Sequence, residues 1–290
     1  MSPWILFSSR LCAVSAVFLL GLLLAGGPGL AGAEAAGAAG RLKVVASTAL
    51  IAEIVADLAG EGVEIATLIP PASCPGHFDL RPADLKLLAA AHLFLLHDWQ
   101  GVRFGESLIR AAANPGLRRV VLAVPGNWMV PAVQAAATGR IAEVLAEAQP
   151  RRAEEIRAAA NRRAAAVQRA ESRAAARLAA AGAGAAPALA NAMQADFVRW
   201  AGFPVAGVFG RGEEMSPVEF AQAVSTGRDS LVRLVVDNLQ SGSLSGRTIA
   251  RELGVPAVTL SNFPGGLPGT ETWEKALTRN VDLLTAALGR

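Results

Sequence analysis

Two periods of apolar residues alternate along this chain. Leu42–Ala46 reads L-K-V-V-A, a buried-type strand. In Ala49–Ala59 the apolar positions Leu50, Ile51, Ile54, Val55 and Leu58 recur at helical spacing, and Ser47 stands where a cap would be needed. Gly60 and Gly62 stop that helix. The same reading predicts a strand over 63–69, a helix over 82–91 with Asp84 in its first turn, a strand over 92–96, a helix over 106–113 and a strand over 118–124.

Two helical segments follow. Pro131–Ala148 is amphipathic, and 151–181 is an Ala/Arg/Glu run whose larger apolar residues are few (Ile156, Val167, Leu178). Alanine and arginine are strong helix formers, and so thin a stripe predicts a largely exposed helix. The alternation then resumes. Strands are predicted over 188–190, 204–209, 231–236 and Ala257–Leu260, with helices ending near Trp200, over 217–224 behind Ser216, over 246–253 and over 271–288. Strand–helix alternation of this kind gives parallel sheets flanked by helices, an α/β class. The chain divides on this pattern into an N-terminal lobe, 41–150, a linking helix, 151–182, and a C-terminal lobe, 183–290.

Length and charge agree with this division. The 290 residues suffice for two domains. The net charge of +3 comes mainly from arginines in one helical run, without interleaved aromatics. That is a solvated face and no nucleic-acid motif, so nucleic-acid partners are not expected. The chain has no tyrosine and few aromatics, which argues against a sugar-stacking site.

At the start, Arg10 precedes an apolar run over 13–25 and then Ala31-Gly32-Ala33. This is the pattern of a cleavable signal peptide, 1–33, followed by a small-residue leader, 34–40, expected to be disordered. A membrane anchor needs about 20 apolar residues, more than this run supplies. Export to the periplasm follows. Cys12 would leave with the signal, and Cys74 would remain unpaired in an oxidising compartment.

Cys74 lies in the proline-rich loop 70–82, three residues before His77. Pro70, Pro71, Pro75 and Gly76 exclude a helix there, so a stiff loop presents a thiol and an imidazole together. Thiolate and imidazole suit zinc-like metals. In parallel sheets ligands bind beyond the carboxyl ends of the strands, where His97, Asp98, Trp99, Gln100, Asn127 and Trp128 also fall. An enzyme with Cys74 as nucleophile is the reading from another class, and no oxyanion-hole motif follows that cysteine.

The chain resembles the solute-binding proteins of metal-ion ABC transporters, the zinc- and manganese-uptake type. The likeness rests on the opening V-V-A-S-T-A-L-I-A-E-I-V-A-D-L-A-G-E-G-V-E-I-A-T-L-I-P-P, on R-P-A-D-L-K-L-L-A-A-A after the proline loop, on the spine helix, and on I-A-R-E-L-G-V-P-A-V-T-L-S-N-F-P-G-G near the end. It implies a two-lobed periplasmic-binding-protein fold with the lobes joined by one long helix and the ligand between them. It implies a monomer that is no enzyme and serves membrane permease and ATPase subunits. The cargo implied is a divalent transition metal such as zinc, with no catalytic cofactor.

The usual ligand set of that family is altered here. Gly76 follows Pro75, and His77 comes one residue later. Asn127, Asn191 (with Gln194 as competitor) and Asn262 stand at the positions of two further histidines and a carboxylate. Two cargo readings result. In one, Cys74, His77 and His97 hold a bare metal. In the other, a polar organic molecule or chelated metal is held through Asp98, Asn127, Trp128, Asn191, Gln194 and Asn262.

Overall fold

A computed structural model describes residues 40–289, apart from Leu80 and Ser243. The expected signal peptide and nearly all of the leader lie outside the described residues.

Two four-stranded sheets, each wholly parallel, form the frame. The first contains β1 (Leu42–Ala46), β2 (Val63–Thr67), β3 (Leu93–His97) and β4 (Arg118–Leu122), in the spatial order β2-β1-β3-β4. The second contains β5 (Ala188–Asn191), β6 (Val205–Phe209), β7 (Leu234–Asn238) and β8 (Ala257–Leu260), in the equivalent order β6-β5-β7-β8. Each lobe therefore has the same topology, and each presents the carboxyl ends of its first and third strands side by side at the sheet centre. β3 and β7 are buried along their whole length, as a central parallel strand covered on both faces must be.

The helices of the first lobe are α1 (Ala49–Ala59), α2 (Pro82–Ala90), α3 (Gly101–Ala112) and α4 (Pro131–Ala148). The long α5 (Ala153–Ala180) follows, and then α6 (Ala195–Trp200), α7 (Pro217–Asp229), α8 (Leu244–Leu253) and α9 (Trp273–Leu288). Pro131 and Pro217 occupy first-turn positions, where a missing N–H costs nothing. Ser216 and Glu219 form the expected reciprocal cap of α7. Among the described residues, no helix is long and apolar enough to cross a membrane.

Three sequence expectations change. The third strand starts and ends one residue later than the pattern suggested, which moves His97 into the strand and buries it. The α1 cap is Thr48 by position, and no side chain caps the helix: Ser47 Oγ donates instead to Gln100 Oε1 (2.5 Å), and Thr48 Oγ1 bonds His97 Nε2 (2.8 Å). Both hydroxyls are spent on the cleft rather than on the helix. The third concerns α5, most of whose residues are exposed as the thin stripe predicted, but which is packed along one face. Ile156, Ala159, Ala160, Arg163, Val167, Ala170, Ala174 and Leu178 bury one stripe of it against α1, α4 and α9. Alanines give a weak apolar signal, yet at three- and four-residue spacing they let helices approach closely.

That packing makes the core continuous. One cluster runs from Val44 in the first sheet through Val167 on α5 to Leu284 on α9. Separate clusters cover the outer faces of the two sheets. Prising the lobes apart would expose part of the shared core, at about 25 cal/mol for each Å² of apolar surface.

A polar junction crosses the same core. Glu53 on α1 accepts from the backbone N–H of Trp273 through Oε1 (2.7 Å), while Trp273 Nε1 donates to Trp128 O (3.0 Å). Arg163 on α5 pairs with Asp57 and lies 3.6 Å from Glu53 Oε2. With its amide oriented to satisfy both neighbours, Gln134 donates to Trp128 O (3.1 Å) and accepts from Arg163 Nη2 (2.8 Å). Burial outweighs the Arg163 charge and pushes the Glu53 carboxyl up to about 7.

Candidate functional site

The loops that leave the carboxyl ends of the strands enclose a cavity of about 640 Å³. From the first lobe it is lined by Cys74, Gly76, His97, Trp99, Asn127 and Trp128. The second lobe contributes Met193, Arg211, Asn238, Gln240, Asn262 and Phe263. The crevice therefore receives residues from both sheets, where a parallel α/β fold places its ligand.

His97 ends β3 at the cavity wall. It is 2% exposed, its Nε2 is engaged by Thr48, and its Nδ1 has no hydrogen-bond partner. The ring stacks on Trp99 (centroids 4.9 Å apart, 22° between planes) and meets the edge of Trp128 (4.2 Å, 66°). Burial drives its pKa down to about 3, so the imidazole is neutral near pH 7, and Nδ1 is a buried nitrogen without a partner at the cavity wall. Gln100, whose Oε1 is taken by Ser47 Oγ and His97 N–H, leaves its buried Nε2 unpartnered as well. Trp99 is half exposed and forms an open apolar wall, while Trp128 is buried with its N–H donating to Val124 O.

The amide residues form a network, and much of their capacity is spent within the protein. Asn127 Nδ2 donates to Met193 O and to Asn262 Oδ1, both at 2.9 Å. Asn262 Nδ2 donates to Met193 O as well (3.1 Å), and Asn262 Oδ1 also accepts from Gln194 Nε2 (3.0 Å). Gln240 bridges further, donating to Pro71 O (2.8 Å) and Ser261 Oγ (3.0 Å) and accepting from Asn262 N–H (3.1 Å). Three of these bonds run between the lobes: the two from Asn127, and the one from Gln240 to Pro71. Asn127→Ala is expected to cost about 1–2 kcal/mol. Urea denaturation would register this as a lower midpoint at unchanged slope.

The sequence-derived candidates divide as follows. Cys74, His97, Asn127, Trp128 and Asn262 all border the cavity. His77 does not: it is exposed, and its Nδ1 lies 3.9 Å from Glu213 Oε2, which is exposed in turn. Asp98 accepts from the N–H of Trp99 (2.8 Å) and shapes the turn after β3. Asn191 turns away and donates to the buried Asp237 (3.2 Å). Asp237 also receives the N–H of Asn238 and of Gly246, so this pair secures the start of α8, and burial raises the Asp237 pKa. Gln194 is fully buried beneath the cavity, with Oε1 unpartnered. Among the described residues, no three of histidine, cysteine, aspartate and glutamate gather closely enough to hold a metal ion, so the trio Cys74, His77 and His97 is not assembled in this structure.

Sequence reasoning passed over Arg211, Asn238 and Gln240. The dipeptides at strand ends, Asp237-Asn238 and Leu239-Gln240, carried a signal of position only. Gly210-Arg211-Gly212, an arginine between two glycines just after β6, was a sharper one.

Two α/β lobes on a shared spine helix, with a cavity between their strand ends, have the architecture of a solute-binding protein. The family described as the periplasmic component A of a zinc-uptake complex (ZnuA) matches residues 44–287, and the chain belongs to it. Its fold is that of the solute-binding protein FpvC from Pseudomonas aeruginosa, solved in complex with Mn2+: TM-score 0.72 at 22% identity, covering 86% of this chain and 99% of that one. The crystal structure of ZnuA is similar at TM-score 0.69 and 19% identity, with 86% and 100% covered. A Mn-bound periplasmic metal-binding protein from Candidatus Liberibacter asiaticus gives 0.70 at 14% identity, again with 86% and 100% covered. A sequence comparison with curated proteins finds no match.

Proposed function

We propose that this chain is the periplasmic solute-binding component of an ABC uptake system for a divalent transition metal. It would capture its cargo between the lobes and hand it to a membrane permease driven by an ATPase, working as a monomer after loss of a signal peptide ending at Ala33. Its task is capture, with no reaction to catalyse. Membership of the zinc-uptake family supports the metal, and the neighbours solved with Mn2+ or Ni2+ widen the range of ions.

We further propose that the metal arrives as a complex with a small organic chelator. One observation carries this: the cavity of about 640 Å³ offers a single thiol, Cys74, a single imidazole, His97, and one carboxylate, Asp196, already paired with Arg199, amid amides and tryptophans. A bare ion needs three or four close donors and occupies a fraction of that volume. A chelate brings its own donors and fills the space with its organic part, against which Trp99 and Trp128 can pack. In this reading Cys74 Sγ or His97 Nδ1 completes the metal's coordination, and Gln100 Nε2 donates to the chelator.

The competing reading, a bare ion held by Cys74, His77 and His97, requires the 70–82 loop to move so that His77 turns inward. Native mass spectrometry of protein purified from its source separates the two. An added mass of several hundred daltons containing metal is expected; an added mass of one metal atom overturns the chelate.

A further inference from the structure

Arg211 supplies a positive charge inside the cleft. It lies on the loop between β6 and α7 and reaches across to the proline loop of the other lobe. A Cβ added to Gly76 would stand 3.3 Å from its Nη1 and 3.5 Å from its Nη2, and the same point is 3.7 Å from Cys74 Sγ. The guanidinium thus reaches Gly76 of the other lobe, and Cys74 Sγ borders the same glycine. The side chain is 24% exposed, and its ion-pair partner Glu214 is distant (3.9 Å) and itself 67% exposed, a weak pairing. The one carboxylate in the cavity lining, Asp196, accepts from Arg199 Nη1 at 3.0 Å. Glu213 lies toward His77, outside the lining.

We infer that the cargo is an anion: a metal chelate whose organic part carries carboxylates, one of which is bound by Arg211 across the cleft. This rests on the chelate reading above and gives it a charge. A guanidinium with only a weak ion-pair partner, beside neutral amides and a neutral imidazole, repels a bare dication and attracts a carboxylate. Its planar fork pairs with both oxygens of a carboxylate, which a lysine at the same place would not do. Gln100 also borders the cavity, and its buried, unpartnered Nε2 is a second donor for the same class of ligand once the side chain turns toward it. Because Arg211 belongs to one lobe and the Gly76 loop to the other, a carboxylate held there touches both and resists their separation.

The test follows tryptophan fluorescence of chelator-stripped protein, since Trp99 and Trp128 border the cavity. The probes are zinc citrate and zinc nitrilotriacetate (both anionic), nickel bis-histidine (neutral) and Zn2+ alone. The wild type is expected to bind at least one anionic complex more tightly than the neutral one. Arg211→Gln should weaken the anionic complex about tenfold to a hundredfold, the worth of a charged hydrogen-bonded contact, and leave the neutral complex unchanged. Arg211→Lys should recover part of the loss. Equal affinity of Arg211→Gln and wild type for the anionic complexes overturns the inference while leaving the chelate reading intact. So does binding of the neutral complex alone. Binding of Zn2+ with no complex bound overturns both.

Discussion

Glu53→Gln is expected to make the cargo-free protein lose stability on acidification below pH 6.5, where the wild type stays nearly level. The Glu53 carboxyl is raised from 4.5 to about 7 by burial, so the folded state holds its proton more tightly than the unfolded chain. Its contribution is fully present below pH 4.5 and is lost as pH rises to 7. His97 acts in the opposite sense. Its pKa falls from 6.5 to about 3 in the fold, so stability is fully present above pH 6.5 and is lost as pH falls. Between pH 4.5 and 6.5 the two slopes oppose each other, each about 1.4 kcal/mol per pH unit. Glutamine keeps an acceptor for the Trp273 N–H and removes the titration. Over that window the variant should therefore lose about 3 kcal/mol that the wild type does not. At pH 8, where the wild type holds a buried carboxylate, the variant should be the more stable by up to about 3 kcal/mol. Urea midpoints from pH 4.5 to 8 in the presence of a chelator check both statements. Parallel profiles for the two proteins would show that Glu53 does not titrate in this range.

Trp273→Ala should be the most destabilising single truncation. The ring is fully buried at the start of α9, and its N–H holds the carbonyl of Trp128 on the opposite lobe. Emptying a site of that size costs about 3–5 kcal/mol. In a protein of this length that corresponds to a melting point roughly 10 °C lower. Trp273→Phe keeps most of the volume and loses only the hydrogen bond, a cost of about 1 kcal/mol. The consequence reaches the site as well. Trp128 packs against His97, and a looser Trp128 backbone should weaken cargo binding even at temperatures where the variant remains folded. A Trp273→Ala protein that melted within about 2 °C of wild type would mean that α9 is not held to the first lobe through this ring.

The architecture was largely open to a reading of residues alone, and the site was open only in part. Pro131–Ala148, Ala257–Leu260 and Ala49–Ala59 appear in the fold with the bounds their patterns suggested. Residues lining one face of a helix or alternating through a strand carry that message locally. His97 shows where local reading fails. As a strand-end histidine it could have been a surface ligand or a satisfied structural group, and only the fold, which packs Trp99 and Trp128 against its ring, buries it. The asparagines show the second failure. An amide is donor and acceptor at once, so Asn127 and Asn262 can serve a guest or each other; in the fold they bond each other, and Asn191 turns to Asp237.

By itself the sequence settled what depends on neighbours a few residues away: strand–helix alternation, the α/β class of both lobes, and family membership through stretches that recur in order. The tertiary structure alone decided which polar atoms stay unsatisfied and which charge enters the cleft. Those follow from residues far apart in the chain, such as Arg211 against Gly76 and Trp273 against Trp128 and Glu53. Burial and desolvation are properties of the packed assembly, and no pattern along the chain encodes them before the lobes have met.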